Sequence, residues 1–139
     1  MLKGMKVFIS YSSKDAKFAR ELSTSLSDAG LDVWLADREV LPGENWPLEV
    51  GKALQRSDAF VVLLSPDAAE SENVKREISF VLGSPRFEGR VVPVVVKASR
   101  DIPWFLESLH MVRSRGKDKK SLKRTAEEIA DLLGQKQAA

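Results

Sequence analysis

At 139 residues, 43% hydrophobic and 30% charged with a net charge of +2, the chain has the size and composition of one globular domain. It contains no Cys, which excludes disulfides, thiolate zinc sites and a cysteine nucleophile, and no apolar run approaches the roughly 18–20 residues that cross a membrane. The start, Met1 to Lys6, leads directly into a strand-like run without a signal-peptide layout, so a cytoplasmic domain with no membrane partner is expected.

Lys6 to Ser10 is the first predicted strand. A helix follows, with Ser12 or Ser13 as its N-cap, Phe18, Leu22, Leu26 and Ala29 on one stripe, and Gly30 in the usual post-helix position. Leu31 to Leu35 reads as the second strand, and Ala36 begins a long polar loop that contains Pro42 and Gly43. Trp46 to Arg56 reads as a short helix. Ala59 to Leu64 is continuously apolar, as a central strand buried on both faces should be, and Ser65-Pro66 ends it. A third helix is predicted from about Ser71 to Leu82, with Val74, Ile78, Val81 and Leu82 inward; Gly83, Ser84 and Pro85 break it.

Val91 to Val96 is the fourth strand, and Pro93 inside it marks a place where one ladder bond is missing. Asp101 to Ser108 reads as irregular, Leu109 to Val112 as a short fifth strand, and the last helix places Leu122, Ala126, Ile129 and Leu133 on one face. From Arg113 to Arg124 seven cations stand against Asp118 alone. No aromatic residue is interleaved there to stack on bases, so the stretch reads as a solvated approach to the last helix and nucleic acid is not an expected partner.

Short β-branched runs alternating with helical segments predict an α/β fold: a flavodoxin-like three-layer sandwich around a five-stranded parallel sheet of order 2-1-3-4-5. One domain is expected over residues 5–134, with a frayed tail over 135–139. Ligands bind such sheets beyond the carboxyl ends of the strands, at the switch point between strands 1 and 3, which directs attention to the loops beginning at Ser10, Ala36 and Ser65. The first of these, Ser10-Tyr11-Ser12-Ser13-Lys14-Asp15, has no Gly, which excludes a Rossmann dinucleotide loop and a P-loop. Ser10 and Ser65 stand where a phosphate-accepting response regulator keeps acidic residues. The lone His110 reads as structural, and no metal site is expected.

Four boxes in order carry a family resemblance over roughly Lys6 to Leu133. Phe8-Ile9-Ser10-Tyr11-Ser12 followed by Asp15 resembles the opening box of TIR (Toll/interleukin-1 receptor-like) domains. Gly30-Leu31-Asp32-Val33-Trp34 and then Leu41-Pro42-Gly43-Glu44-Asn45-Trp46 are similar to their second strand and BB loop. Ser57 to Pro66 resembles the third strand and its exit, and Ser71 with Lys75-Arg76-Glu77-Ile78 resembles the helix that carries the family's catalytic glutamate. The resemblance is to the bacterial NAD-consuming kind.

With residues at 100° intervals and Ile78 at zero, Val74, Val81 and Leu82 span about −60° to +40° and Glu77 falls near −100°, on the margin of the buried face. Without the family match, Glu77 reads equally well as a surface partner of Lys75 or Arg76. The resemblance implies that Glu77 is the catalytic carboxylate and that Ser10, Tyr11, Ser12, Trp46, Ser65 and Ser71 bind the substrate, although each of these also has a capping or packing reading. It implies an NAD+ nucleosidase with NAD+ as substrate and no cofactor, which releases nicotinamide and ADP-ribose or a cyclised form in bacterial defence or signalling. Self-association with further copies or other TIR domains through the BB loop (Asp37 to Asn45, with Leu41, Pro42 and Gly43) is implied as well. The alternative is a non-catalytic scaffold that assembles through the same loop. Asn73 departs from the pattern, because many NAD-cleaving relatives carry Trp four residues before the glutamate.

Overall fold

The computed structural model describes residues 4–97, 109–114 and 116–138. Five parallel strands, β1 (Lys6–Ser10), β2 (Asp32–Trp34), β3 (Ala59–Leu64), β4 (Val91–Val95) and β5 (Val112–Arg113), form one sheet of order β2-β1-β3-β4-β5, the expected flavodoxin-like topology. The helices are α1 (Ala16–Asp28), α2 (Ala36–Glu39), α3 (Trp46–Arg56), α4 (Pro66–Glu70), α5 (Glu72–Leu82) and α6 (Lys119–Ala138).

Strand residues alternate between faces, and this period of two divides the core. Val7, Ile9, Val61, Leu63, Val92 and Val94 face α1 and α6, together with Leu22, Leu26, Ile129 and Leu133. Phe8, Phe60, Val62, Leu64 and Val95 face α3, α4 and α5, together with Val50, Leu54, Val74, Ile78 and Val81. Every residue of β3 is buried, as its unbroken apolar run requires. Burial of a side chain such as Phe60 stabilises the fold by about 1.5–3 kcal/mol. Phe8 stacks between Trp34 and Phe60, with ring centroids 5.1 and 5.8 Å away.

Several elements differ from the sequence expectation. Ser12 caps a 3-10 turn, Ser13–Asp15, and α1 begins only at Ala16. The helix ends at Asp28, leaving Ala29 exposed, and Gly30 turns the chain with φ +97°, a conformation that favours glycine. Ala36–Glu39 is helical rather than loop. Its Asp37 N–H donates to the Tyr11 hydroxyl at 3.0 Å, and Arg20 holds the Asp37 carboxylate at 2.6 Å. Pro66–Glu70 is a helix as well, with Ser65 as N-cap and Pro66 at the first helical position, where proline's missing N–H costs nothing. Leu82 is exposed rather than inward. The buried residues Val74, Ile78 and Val81 centre near −35° on the same wheel, so Leu82 and Glu77 lie on opposite margins of the stripe.

The fifth strand is Val112–Arg113 rather than Leu109 to Val112, and Pro93 supplies the reason. Arg90 O accepts from Phe60 N and Val96 N donates to Leu64 O, so even-numbered residues of β4 bond to β3 and Pro93 faces β5. With no donor there, pairing to β5 begins at Val94. Leu109 and Met111 still pack against the core from outside the ladder. The last helix continues past Gly134 to Ala138. The expected irregular segment Asp101 to Ser108 lies outside the described residues, as does Arg115 of the basic stretch.

Candidate functional site

Strand alternation determines where the first candidate points. Ser10 shares a face with Phe8, so at the carboxyl end of β1 it lies under α5. It is buried, and its hydroxyl donates to Glu77 Oε1 at 2.7 Å. Helix α5 is positioned by Ser71, whose side chain accepts from the Val74 N–H, and by the inward stripe of Val74, Ile78 and Val81. Glu77 is half-buried at the edge of that stripe. Burial raises its pKa from the usual 4.5 to about 7, opposed by the hydrogen bond from Ser10, which favours the ionised form. The carboxylate therefore titrates near neutrality.

Ser65, at the end of β3, is the counterpart of Ser10. Its hydroxyl donates to Asp15 Oδ2 at 2.6 Å and accepts from the Ala68 N–H at 3.1 Å, which caps α4. The two bonds cross. The serine that ends β1 holds a carboxylate on a helix that follows β3, and the serine just after β3 holds one at the start of the helix that follows β1. This is the switch point of the sheet, where the flanking helices part to opposite faces.

Between the parted helices lies a cleft of about 460 Å³, within the range of small-molecule sites. Phe8, Ile9 and Val50 contribute apolar surface to it. Of the residues expected to meet substrate, Tyr11, Ser12, Trp46, Ser71 and Glu77 line this cleft, whereas Ser10 and Ser65 are buried outside its lining. Ser12 is also buried and accepts from the Lys14 N–H at 3.3 Å. Tyr11 accepts from the Asp37 N–H, and burial raises its pKa, so it remains a protonated donor at neutral pH. Trp46 is 45% exposed at the start of α3, where Asn45 accepts from the Leu48 N–H as N-cap.

Lys14, Asp37, Asp67 and Glu70 also line the cleft and were not anticipated. Asp67 was within reach of the sequence, because Ser65-Pro66 is a helix-start signal that places it in a first turn. Asn73 lines the cleft too, so the wall four residues before the glutamate is polar. Leu41, Pro42 and Gly43 lie outside the lining on an exposed turn, with Leu41 62% exposed and Gly43 at φ +88°. His110 is exposed, and among the described residues no group of three or more His, Asp or Glu side chains is placed to hold a metal ion.

A family model described as "TIR domain" matches residues 7–133. The chain belongs to the TIR domain family. This TIR domain is 25% identical over 134 residues to a probable 2′ cyclic ADP-D-ribose synthase, TcpO, from Methanobrevibacter olleyae, covering 95% of this chain and 39% of that protein. It is 32% identical over 98 residues to the NAD(+) hydrolase PdTIR from Paracoccus denitrificans (strain Pd 1222), covering 68% of this chain and 32% of the relative. The matched region thus spans about a third to two fifths of the length of these curated relatives. Its fold is shared with the crystal structure of the TIR domain of the Toll-related receptor TRR-2 from Hydra magnipapillata, at TM-score 0.73 and 20% identity, covering 91% of this chain and 96% of that one.

Proposed function

We propose that this TIR domain cleaves the nicotinamide–ribose bond of NAD+, releasing nicotinamide and ADP-ribose or a cyclised form, with Glu77 as the catalytic carboxylate. The observation that carries the reading is a half-buried carboxylate, held by Ser10 and titrating near 7, in a cleft at the switch point of the sheet. The names of the two curated relatives support the same chemistry.

A glycosidase ordinarily needs two carboxylates, because one must protonate a poor alkoxide leaving group. The nicotinamide of NAD+ is already cationic and departs as a neutral ring, so no general acid is required. What remains is to stabilise the positive charge that develops at the anomeric carbon, and an ionised Glu77 in a sheltered cleft can do that. Trp46 supplies an aromatic face on the cleft where Asn73 does not, and Tyr11 and Ser71 supply polar groups for the sugar. The setting proposed is bacterial defence or signalling, with further copies of the domain as partners.

The exposed Leu41, Trp46 and Leu48 favour a second reading, a scaffold that assembles through this surface without turnover. Incubation with NAD+ and chromatography of the products separates the two. Glu77→Gln should lower nicotinamide release by about 10³-fold or more, at roughly 1.4 kcal/mol per decade. Wild-type release should rise with pH through about 7 as Glu77 ionises. A Gln variant with wild-type turnover rejects the catalytic assignment.

A further inference from the structure

The cleft is lined by four carboxylates, on Asp37, Asp67, Glu70 and Glu77, and among the described residues by one cation, Lys14. Asp37 is matched by Arg20, which lies outside the lining, at 2.6 Å. Lys14 Nζ lies 3.8 Å from Asp67 Oδ1, with 76% and 47% of the two side chains exposed. Such a long, solvated pair contributes little and exchanges readily. The backbone beneath it is better defined. Lys14 sits in the 3-10 turn Ser13–Asp15, its N–H bonded to the buried Ser12, directly before α1. Asp15, the N-cap residue of α1, makes no side-chain cap bond, because Ser65 engages its carboxylate.

A dinucleotide presents this cleft with two opposite charges, a cationic nicotinamide ring and an anionic diphosphate. Glu77 suits the end of the molecule that becomes positive. The diphosphate needs a countercharge on the same surface, and a carboxylate-rich wall would repel it. From these observations we infer that Lys14 is the diphosphate anchor of the cleft and that Asp67 holds its ammonium group until an anionic ligand displaces it. An Asp67 carboxylate oxygen occupies the position beside Nζ that a phosphate oxygen takes on binding. The inference rests on the cleavage reading for the identity of the ligand, and it extends that reading to a binding residue, its internal competitor and the class of ligand accepted, dinucleotides and their diphosphate fragments.

The test is calorimetric titration of ADP-ribose, which carries the diphosphate but lacks the nicotinamide–ribose bond, into the wild type, Lys14→Gln, Lys14→Arg and Asp67→Asn. We expect Lys14→Gln to weaken binding about tenfold, Lys14→Arg to stay within about twofold of the wild type, and Asp67→Asn to tighten binding about threefold. Equal affinity of Lys14→Gln and the wild type, or no binding by the wild type, overturns the anchor. Nicotinamide release by the same proteins judges the cleavage reading separately. Lys14-dependent ADP-ribose binding without release keeps the anchor and removes the enzyme. Turnover with a KM unchanged in Lys14→Gln keeps the enzyme and removes the anchor.

Discussion

The layer under α1 and α6 and the carboxyl edge of the sheet beneath the cleft bury their hydroxyls differently. In the layer formed by α1 and α6, Ser23 and Thr125 are buried among apolar side chains, and each donates to a carbonyl of its own helix, Arg20 O at 2.8 Å and Ser121 O at 3.0 Å. At the cleft, Ser10 and Ser65 are equally buried, but they bond to carboxylates 67 and 50 residues away. A hydroxyl that folds back on its own helix satisfies itself wherever the helix goes. One that reaches across the chain is satisfied only when two remote elements sit correctly, and it holds a charged group where the hydrophobic effect alone would place an apolar one. The contrast separates burial that completes a core from burial that arranges a site.

The largest expected effect sharpens this contrast at Glu77. Its folded pKa of about 7 lies above its ordinary 4.5, so between those values the folded state binds more protons than the unfolded one and stability falls as pH rises. The penalty is absent below about pH 4.5 and complete above about 7, where it reaches about 3 kcal/mol. Glu77→Gln should therefore melt higher than the wild type at pH 8 and level with it at pH 4, measured by calorimetry. A Gln variant that is no more stable at pH 8 would show that the carboxylate is not held under strain.

Ser65→Ala comes next, because it removes the α4 cap and strips Asp15 of its donor at once. A loss of about 2 kcal/mol in chemical denaturation is expected. Ser10→Ala should cost about 1 kcal/mol, since one donor is lost while Glu77 can take up a proton instead. It should also move the midpoint of the pH–activity profile above about 7, because the Ser10 bond lowers the pKa of Glu77. Ser23→Ala, whose bond is local, should cost less than about 0.5 kcal/mol. If Ser23→Ala cost as much as Ser65→Ala, the distinction between the two kinds of burial would fail.

What could be read from the sequence follows the same division. Periodicity and caps located α3 and β3 at their observed bounds, the Ser71 cap and the marginal position of Glu77, because each depends on neighbours within a few residues. The helix at Ala36–Glu39 was out of reach, since Tyr11 and Arg20 brace it from 26 and 17 residues away. The start of β5 depends on the partner face of Pro93, which only the pairing reveals. The crossed serines were visible as candidates, but their partners were not. Nothing local in Ser-Pro or Ser-Tyr says which carboxylate will arrive, or that the serines would lie beneath the cleft rather than on its wall.

Ala59–Leu64, a six-residue apolar run without charge or proline, has the composition that favours cross-β stacking, and it occupies the centre of the sheet. Among the described residues, the borders that could recruit a foreign strand are β2, three residues long, and β5, which has two because Pro93 withholds a donor beside it. Borders this short give an incoming chain almost nothing to template on. Copies of the domain at high local concentration are thereby steered away from fibre growth by sheet extension.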